Sequence, residues 1–122
     1  MGLLTSASGD RGAPTDDARA KVEAVVAAVR LRLLAELPAR LDRCAGLAQA
    51  AMVGDGAAGA ALRIELHSLA GAAATVGLRA LGSQARALEA EAVAASETGL
   101  WPDAFLDRLG ALSGLIGESP DC

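Results

Sequence analysis

The chain has 122 residues, which is enough for one domain with a single apolar core and too few for a second independent domain. Hydrophobic residues make up 52% of it, aromatic residues only 2%, and tyrosine is absent, so we predict an all-α protein rich in alanine and leucine. The net charge of -4 and the scattered arginines argue against a nucleic-acid-binding surface.

Membrane, secretory and zinc-binding classes are also disfavoured by the sequence. Charged residues and glycines interrupt every apolar stretch well before the roughly 18 residues that a membrane span needs. The N-terminal residues lack the basic and apolar regions of a signal peptide. Two cysteines, Cys44 and Cys122, and one histidine are too few for a four-ligand zinc site. We therefore expect a reduced, cytoplasmic protein with no metal site and with neither nucleic acid nor membrane as a partner.

The N-terminal third of the chain predicts a flexible segment followed by one long helical element. Residues 1–15 are rich in glycine, serine and alanine with scattered charge, which is typical of a flexible segment. Thr15 or Asp16 can cap the helix that follows. Pro38 lies inside its apolar run, so the element is either one kinked helix or two helices that meet near Leu37. The residues that recur at helical spacing along it are Val22, Val26, Val29, Leu33, Leu34, Leu37, Leu41, Cys44 and Ala48.

Three further helices are predicted in the rest of the chain. The second covers about residues 57–75 and the third about residues 78–96, and Gly77 and Gly99 close them. Pro102 suits the first position of the fourth helix. The three apolar stripes consist of Leu62, Leu66, Leu69, Ala73 and Val76, then Leu81, Ala85, Leu88 and Ala92, and last Phe105, Leu109, Leu112 and Ile116.

Four amphipathic helices with short connections bury their stripes most simply as an antiparallel four-helix bundle. We predict that this bundle covers residues 16–117 and that a frayed tail covers residues 118–122.

His67, the single histidine, lies off the apolar stripe of the second helix. An α-helix turns about 100° per residue, which places His67 about 140° from Leu62, whereas Leu66 lies within about 40° of it. Small residues surround the histidine, including Gly71, although glycine costs a helix interior about 1 kcal/mol relative to alanine. Either Gly71 lets a neighbouring helix pack closely and His67 is an ordinary exposed side chain, or another molecule docks beside His67.

The segment HSLAGAAATVGLRALGSQARALE, residues 67–89, resembles the His-x-Leu-Lys-Gly-x-Ala-x-x-x-Gly pattern of histidine-containing phosphotransfer (HPt) domains. The positions that match this pattern are His67, Leu69, Gly71, Ala73 and Gly77. The resemblance covers about residues 17–117. It implies a four-helix bundle whose exposed histidine accepts a phosphoryl group from the aspartate of one receiver domain and passes it to the aspartate of another.

The resemblance also implies roles for individual residues. Nε2 of His67 is the expected phosphoacceptor, and Glu89 matches the position of the residue that orients the imidazole in many family members; the alternative for Glu89 is a solvated surface acid. The family lysine is replaced by Ala70, so either Arg63 or Arg86 takes its place or both are solvated charges. The expected docking surface for a receiver consists of Ala60, Ile64, Gly71 and Ala74, with Arg63 and Arg86 towards its rim.

The function that we predict from these features is that of a phosphocarrier in a multistep two-component phosphorelay. The chain has no glycine-rich nucleotide loop and no aspartate cluster for magnesium, so it is not an autonomous kinase. We expect it to need no cofactor, with Mg²⁺ bound only by the partner receiver domain. Its expected partners are response-regulator receiver domains and a hybrid sensor histidine kinase. The alternative is a non-phosphorylated helical adaptor in which His67 is incidental.

Overall fold

The computed structural model describes residues 15–115, which form four α-helices and a short 3₁₀ helix. The α-helices are α1 (Asp16–Met52), α2 (Gly56–Thr75), α3 (Arg79–Thr98) and α4 (Phe105–Ala111), and the 3₁₀ helix (Leu112–Leu115) follows α4 directly. The helices pack antiparallel, α1 and α3 each lying against both α2 and α4. The predicted all-α four-helix bundle is therefore confirmed for the described part of the chain.

Parts of the predicted domain limits lie outside the described residues. Three predicted features lie there: the segment before Thr15 that the sequence predicts to be flexible, the last two predicted bundle positions (116 and 117), and the predicted tail over residues 118–122. Within residues 15–115, no helix combines the length and the apolar character needed to cross a membrane.

Short polar and glycine signals set the ends of the helices. Oγ1 of Thr15 accepts a hydrogen bond from the backbone N–H of Ala18 at 3.1 Å and so caps α1. The carboxylate of Asp55 caps α2 in the same way, through the N–H of Ala58 at 3.0 Å. Gly77 and Gly99 follow α2 and α3 with φ values of 79° and 78°, a left-handed conformation that glycine adopts without steric cost. The predicted glycine closures are thus confirmed.

The proline-containing element is one helix, because α1 runs without interruption from Asp16 to Met52 through Pro38. Of the two alternatives, two helices meeting near Leu37 is wrong, and a kink at Pro38 stays a prediction. Leu37 and Leu41, on either side of the proline, are both buried in the core. Packing of this apolar face stabilises the helix against the loss of one backbone hydrogen bond.

The fourth helix starts later than the sequence predicts. Pro102 is not its first residue; instead the N–H of Phe105 donates to the carbonyl of Pro102 at 3.1 Å, which closes a turn before α4 begins at Phe105. This turn brings Trp101 edge-on to Phe105, with ring centroids 5.1 Å apart and the rings inclined at 79°. The aromatic contact therefore occupies the place where a first helical turn was expected.

The core contains the predicted apolar stripes of α2 and α3 and the C-terminal part of the stripe of α1. Leu33, Leu37 and Leu41 of α1 are buried, whereas Val22 and Val29 are 62% and 42% exposed. With 37 residues, α1 is about 55 Å long, whereas the 20 residues of α2 span only about 30 Å. The N-terminal turns of α1 therefore extend past the helices that would cover them, and the prediction of a continuous buried stripe is wrong there.

Cys44 belongs to this core and is not a reactive thiol. Its side chain is 1% exposed, and burial, assisted by the nearby carboxylate of Glu65, raises the pKa of the thiol to about 11. The thiol therefore stays protonated at neutral pH and acts as a small apolar side chain.

Candidate functional site

His67 lies on the outer surface of α2, between the two flanking helices. Its side chain is 79% exposed, while Leu66 and Leu69 on either side of it are fully buried. A large exposed fraction leaves the imidazole accessible to another protein. The helical spacing had placed it on this side, away from the apolar stripe.

Glu89 of α3 contacts the imidazole. Nδ1 of His67 and Oε2 of Glu89 lie 3.0 Å apart, and the Glu89 side chain is only 24% exposed. An ionised carboxylate can only accept a hydrogen bond, so this contact selects the tautomer in which Nδ1 carries the proton and donates. In that tautomer Nε2 keeps its lone pair and faces away from Glu89, so it can act as a nucleophile.

Close packing of α2 against α3 brings these two side chains together. Gly82 of α3 is buried, and a Cβ at this position would lie 3.4 Å from the carbonyl oxygen of Ala70 and 3.6 Å from Cβ of Ala73. The two backbones can approach this closely because glycine has no side chain. Gly82 thus allows the close helix packing that was one of the two explanations for Gly71.

Gly71 itself faces open space. A Cβ added to it would meet no atom within 4 Å, so the explanation that a neighbouring helix packs against Gly71 is wrong. The other small or apolar members of the predicted docking surface, Ala60, Ile64 and Ala74, are also exposed, Ile64 to 70%. Together with His67 these four residues form one exposed face of α2, which we call the histidine face.

The two predicted cations belong to different helices beside the histidine face. Arg63 is exposed and lines a groove with Gly59 and Trp101 near the N-terminal end of α2. Arg86 is exposed on α3, one turn before Glu89. Within residues 15–115, neither guanidinium takes part in an ion pair or a side-chain hydrogen bond.

Residues 28–115 match the family profile of the Hpt domain, which spans both the histidine face and Glu89. The chain belongs to the Hpt domain family. Hpt domains are phosphocarriers in phosphorelays and interact with receiver domains; they are not kinases. Neither the curated proteins nor the solved structures gave a significant match to this Hpt domain.

The position of the family lysine is buried in this Hpt domain. Ala70 is 2% exposed and packs beside Gly82 at the contact between α2 and α3. A lysine there would have to pass its long side chain out of this close contact before its ammonium group reached water. The tight packing of α2 against α3 is therefore compatible with an alanine at this position.

Arg40 of α1 is a residue near the histidine that the sequence interpretation missed. Its Nη2 donates to Oγ of Ser68, the residue after His67, at 3.1 Å. One turn along α1, Nε of Arg43 lies 3.6 Å from Oε2 of Glu65. The spacing of Arg40 and Arg43 shows that they share one face of α1, but the residues they meet depend on the packing register of α1 against α2. Within residues 15–115, no group of acidic, histidine or cysteine side chains is arranged to hold a metal ion.

Proposed function

We propose that this Hpt domain accepts a phosphoryl group on Nε2 of His67 from the phosphoaspartate of one receiver domain and passes it to the aspartate of another. The observation that carries the proposal is the contact between Nδ1 of His67 and Glu89, on a histidine whose side chain is 79% exposed. It combines an oriented imidazole with access for a second protein. The process served is a multistep two-component phosphorelay, in which a hybrid sensor histidine kinase supplies the phosphoryl group.

The transfer requires no base from this chain. The lone pair of Nε2 attacks phosphorus, the bond between phosphorus and the aspartyl oxygen breaks, and its electron pair leaves with the aspartate carboxylate. Nδ1 keeps its proton, so the phosphorylated ring carries a positive charge that the carboxylate of Glu89 faces. Transfer to the second receiver reverses these steps. We expect Mg²⁺ to act only in the receiver, so that the chain uses no cofactor of its own.

The histidine face is the proposed docking surface for the receiver. Ala60, Ile64, Gly71 and Ala74 present apolar side chains or none around His67, and the small size of Ala60, Gly71 and Ala74 leaves room for a protein surface to reach Nε2. Arg63 and Arg86 lie towards the rim, where a charge affects the rate of association more than the affinity. Either arginine, unpaired in the described part of the chain, is available to an acidic group of the receiver.

Incubation with phosphorylated receiver domains tests this function. We expect the wild-type chain to acquire phosphate that is stable to alkali and labile to acid, and the His67→Gln variant to acquire none while unfolding at the same temperature. Label on the variant would contradict the assignment of His67. The adaptor alternative, which the absence of the family lysine at Ala70 favours, predicts instead that wild type stays unlabelled and that His67→Gln retains partner binding.

The variant Glu89→Ala should slow phosphotransfer by about one to two orders of magnitude, because the imidazole loses the acceptor that fixes its tautomer and orientation. Glu89 is partly exposed and makes no other hydrogen bond or ion pair within residues 15–115, so the stability of the bundle should change little. Rapid-quench measurement of the transfer rate checks the prediction. Glu97→Ala removes an exposed acid from the same helix and serves as the control; equal rates for both variants would rule out an orienting role for Glu89.

A further inference from the structure

The α1 side of the histidine face carries a cation at the level of His67. Ser68, which holds Nη2 of Arg40 at 3.1 Å, lies only about 1.5 Å further along the α2 axis than His67. Successive residues of a helix point in different directions, so Ser68 is turned towards α1 while His67 is turned towards α3. The Arg40 guanidinium therefore reaches the edge of the histidine face from the side opposite Glu89.

The contact with Glu89 determines on which side of the imidazole a phosphoryl group on Nε2 would lie. Nδ1 and Nε2 point out of opposite sides of the imidazole ring, and Nδ1 is directed at Glu89 on α3. Nε2 is consequently directed away from α3, towards solvent and the α1 side. A phosphoryl group on Nε2 would lie on the side of the site where Ser68 and Arg40 are found.

The other candidate cations are placed less favourably for this group. Arg86 is on α3, the same helix as Glu89, whereas Nε2 is directed away from α3. The imidazole ring therefore lies between Arg86 and a phosphoryl group on Nε2. Arg63 lines the groove near Gly59 and Trp101, consistent with the tendency of helical side chains to lean towards the N-terminus. At Ala70 no cation is present, and the position is buried.

We propose that Arg40, seated on Ser68 in the unmodified protein, is the residue that binds the phosphoryl group on His67. This inference rests on the proposed function. When Nε2 carries the phosphoryl group, the guanidinium turns from the Ser68 hydroxyl to two phosphoryl oxygens, a bidentate contact that an arginine fork makes well. The serine hydroxyl accepts a hydrogen bond from Arg40 before phosphorylation and so keeps the long side chain near the site at a small entropic cost.

The test uses phosphoramidate, a small donor that requires no docking surface. Nε2 attacks its phosphorus and ammonia leaves, so the reaction reports on the site without a receiver domain. We expect Arg40→Gln to lower the phosphorylated fraction of His67 at steady state by about threefold to tenfold, the range for a partly exposed charge-assisted contact. Arg40→Lys, which keeps the charge without the fork, should retain part of the effect.

Arg43→Gln is the matched control, because it removes an arginine from the same face of α1 whose contact is with Glu65. Its phosphorylated fraction should equal that of wild type. A second measurement follows the side-chain NMR signals of Arg40 and Arg43 during phosphorylation, and we expect only those of Arg40 to shift. Equal thermal unfolding of the variants shows that the difference is not one of stability.

Three results would overturn the inference. One is an equal phosphorylated fraction for Arg40→Gln and Arg43→Gln, another is unshifted Arg40 signals, and the third is a loss found with Arg63→Gln or Arg86→Gln instead of Arg40→Gln. The proposed function fails in a different way, when His67 takes phosphate from phosphoramidate but never from a phosphorylated receiver.

Discussion

Gly71→Trp should abolish phosphotransfer between receiver domains and His67 while leaving the bundle folded. Gly71 lies one turn beyond His67 on the histidine face, and no atom lies within 4 Å of the position where its Cβ would be. A tryptophan there can be accommodated by the chain itself, but it would stand between the imidazole and a docking protein. A displacement of about 1 Å in the reacting atoms can cost about a hundredfold in rate, so holding a receiver several ångströms away should reduce transfer below detection.

Two controls separate lost docking from a damaged site. Phosphoramidate should still phosphorylate His67 in Gly71→Trp, because this donor is small. Gly46→Trp adds the same bulk to an equally open helical glycine of α1 and should transfer normally. Gly71→Ala should raise the free energy of unfolding by up to about 1 kcal/mol, since alanine is the better helix former. Normal transfer by Gly71→Trp would show that the receiver docks elsewhere.

Phe105→Ala should lower the free energy of unfolding by about 3–5 kcal/mol, the usual cost of removing a large core side chain. Phe105 is fully buried, and its ring contacts Trp101 edge-on in the turn that leads into α4. Because small domains are stable by only about 5–15 kcal/mol, the variant should lose a large part of its stability. Urea unfolding followed by circular dichroism measures the change.

Leu100→Ala is the matched control for this prediction. Leu100 lies next to Trp101 but is 79% exposed, so its truncation should change stability by less than about 0.5 kcal/mol. A loss below about 1 kcal/mol for Phe105→Ala would mean that α4 is not anchored by its aromatic residue. Below the urea transition the variant should still accept phosphate on His67, because α4 contributes no residue to the histidine face.

Most of the fold could be predicted from the sequence because periodicity reports which residues share a helix face. The stripes of α2 and α3 are buried as predicted, with Leu62, Leu81 and Leu88 fully enclosed. Periodicity does not report how far a neighbouring helix extends, which is why Val22 and Val29 were wrongly assigned to the core. The start of α4 was missed for a similar reason, since the turn at Pro102 depends on where the aromatic pair packs.

The candidate site was predictable where a single helix or a family pattern decides it. The direction of His67 follows from the spacing along α2, and Glu89 was found through the resemblance to a family motif. The contact between Arg40 and Ser68 links residues 28 positions apart on two helices, and it depends on their packing register. The residue pattern within one helix does not report its packing register against another helix. The role of Gly82 was missed for the same reason, because close approach is a property of two helices together.

Gly77 lies in the short turn that joins α2 and α3 into one helical hairpin, and the short connection favours early formation of this hairpin during folding. His67 and Glu89 lie on the two arms of that hairpin, only 22 residues apart in the chain. Closing so short a loop costs little chain entropy, and contacts between near neighbours in sequence form quickly. We expect the hydrogen bond between the two side chains to arise with the hairpin itself, before the ends of the chain close the bundle around it.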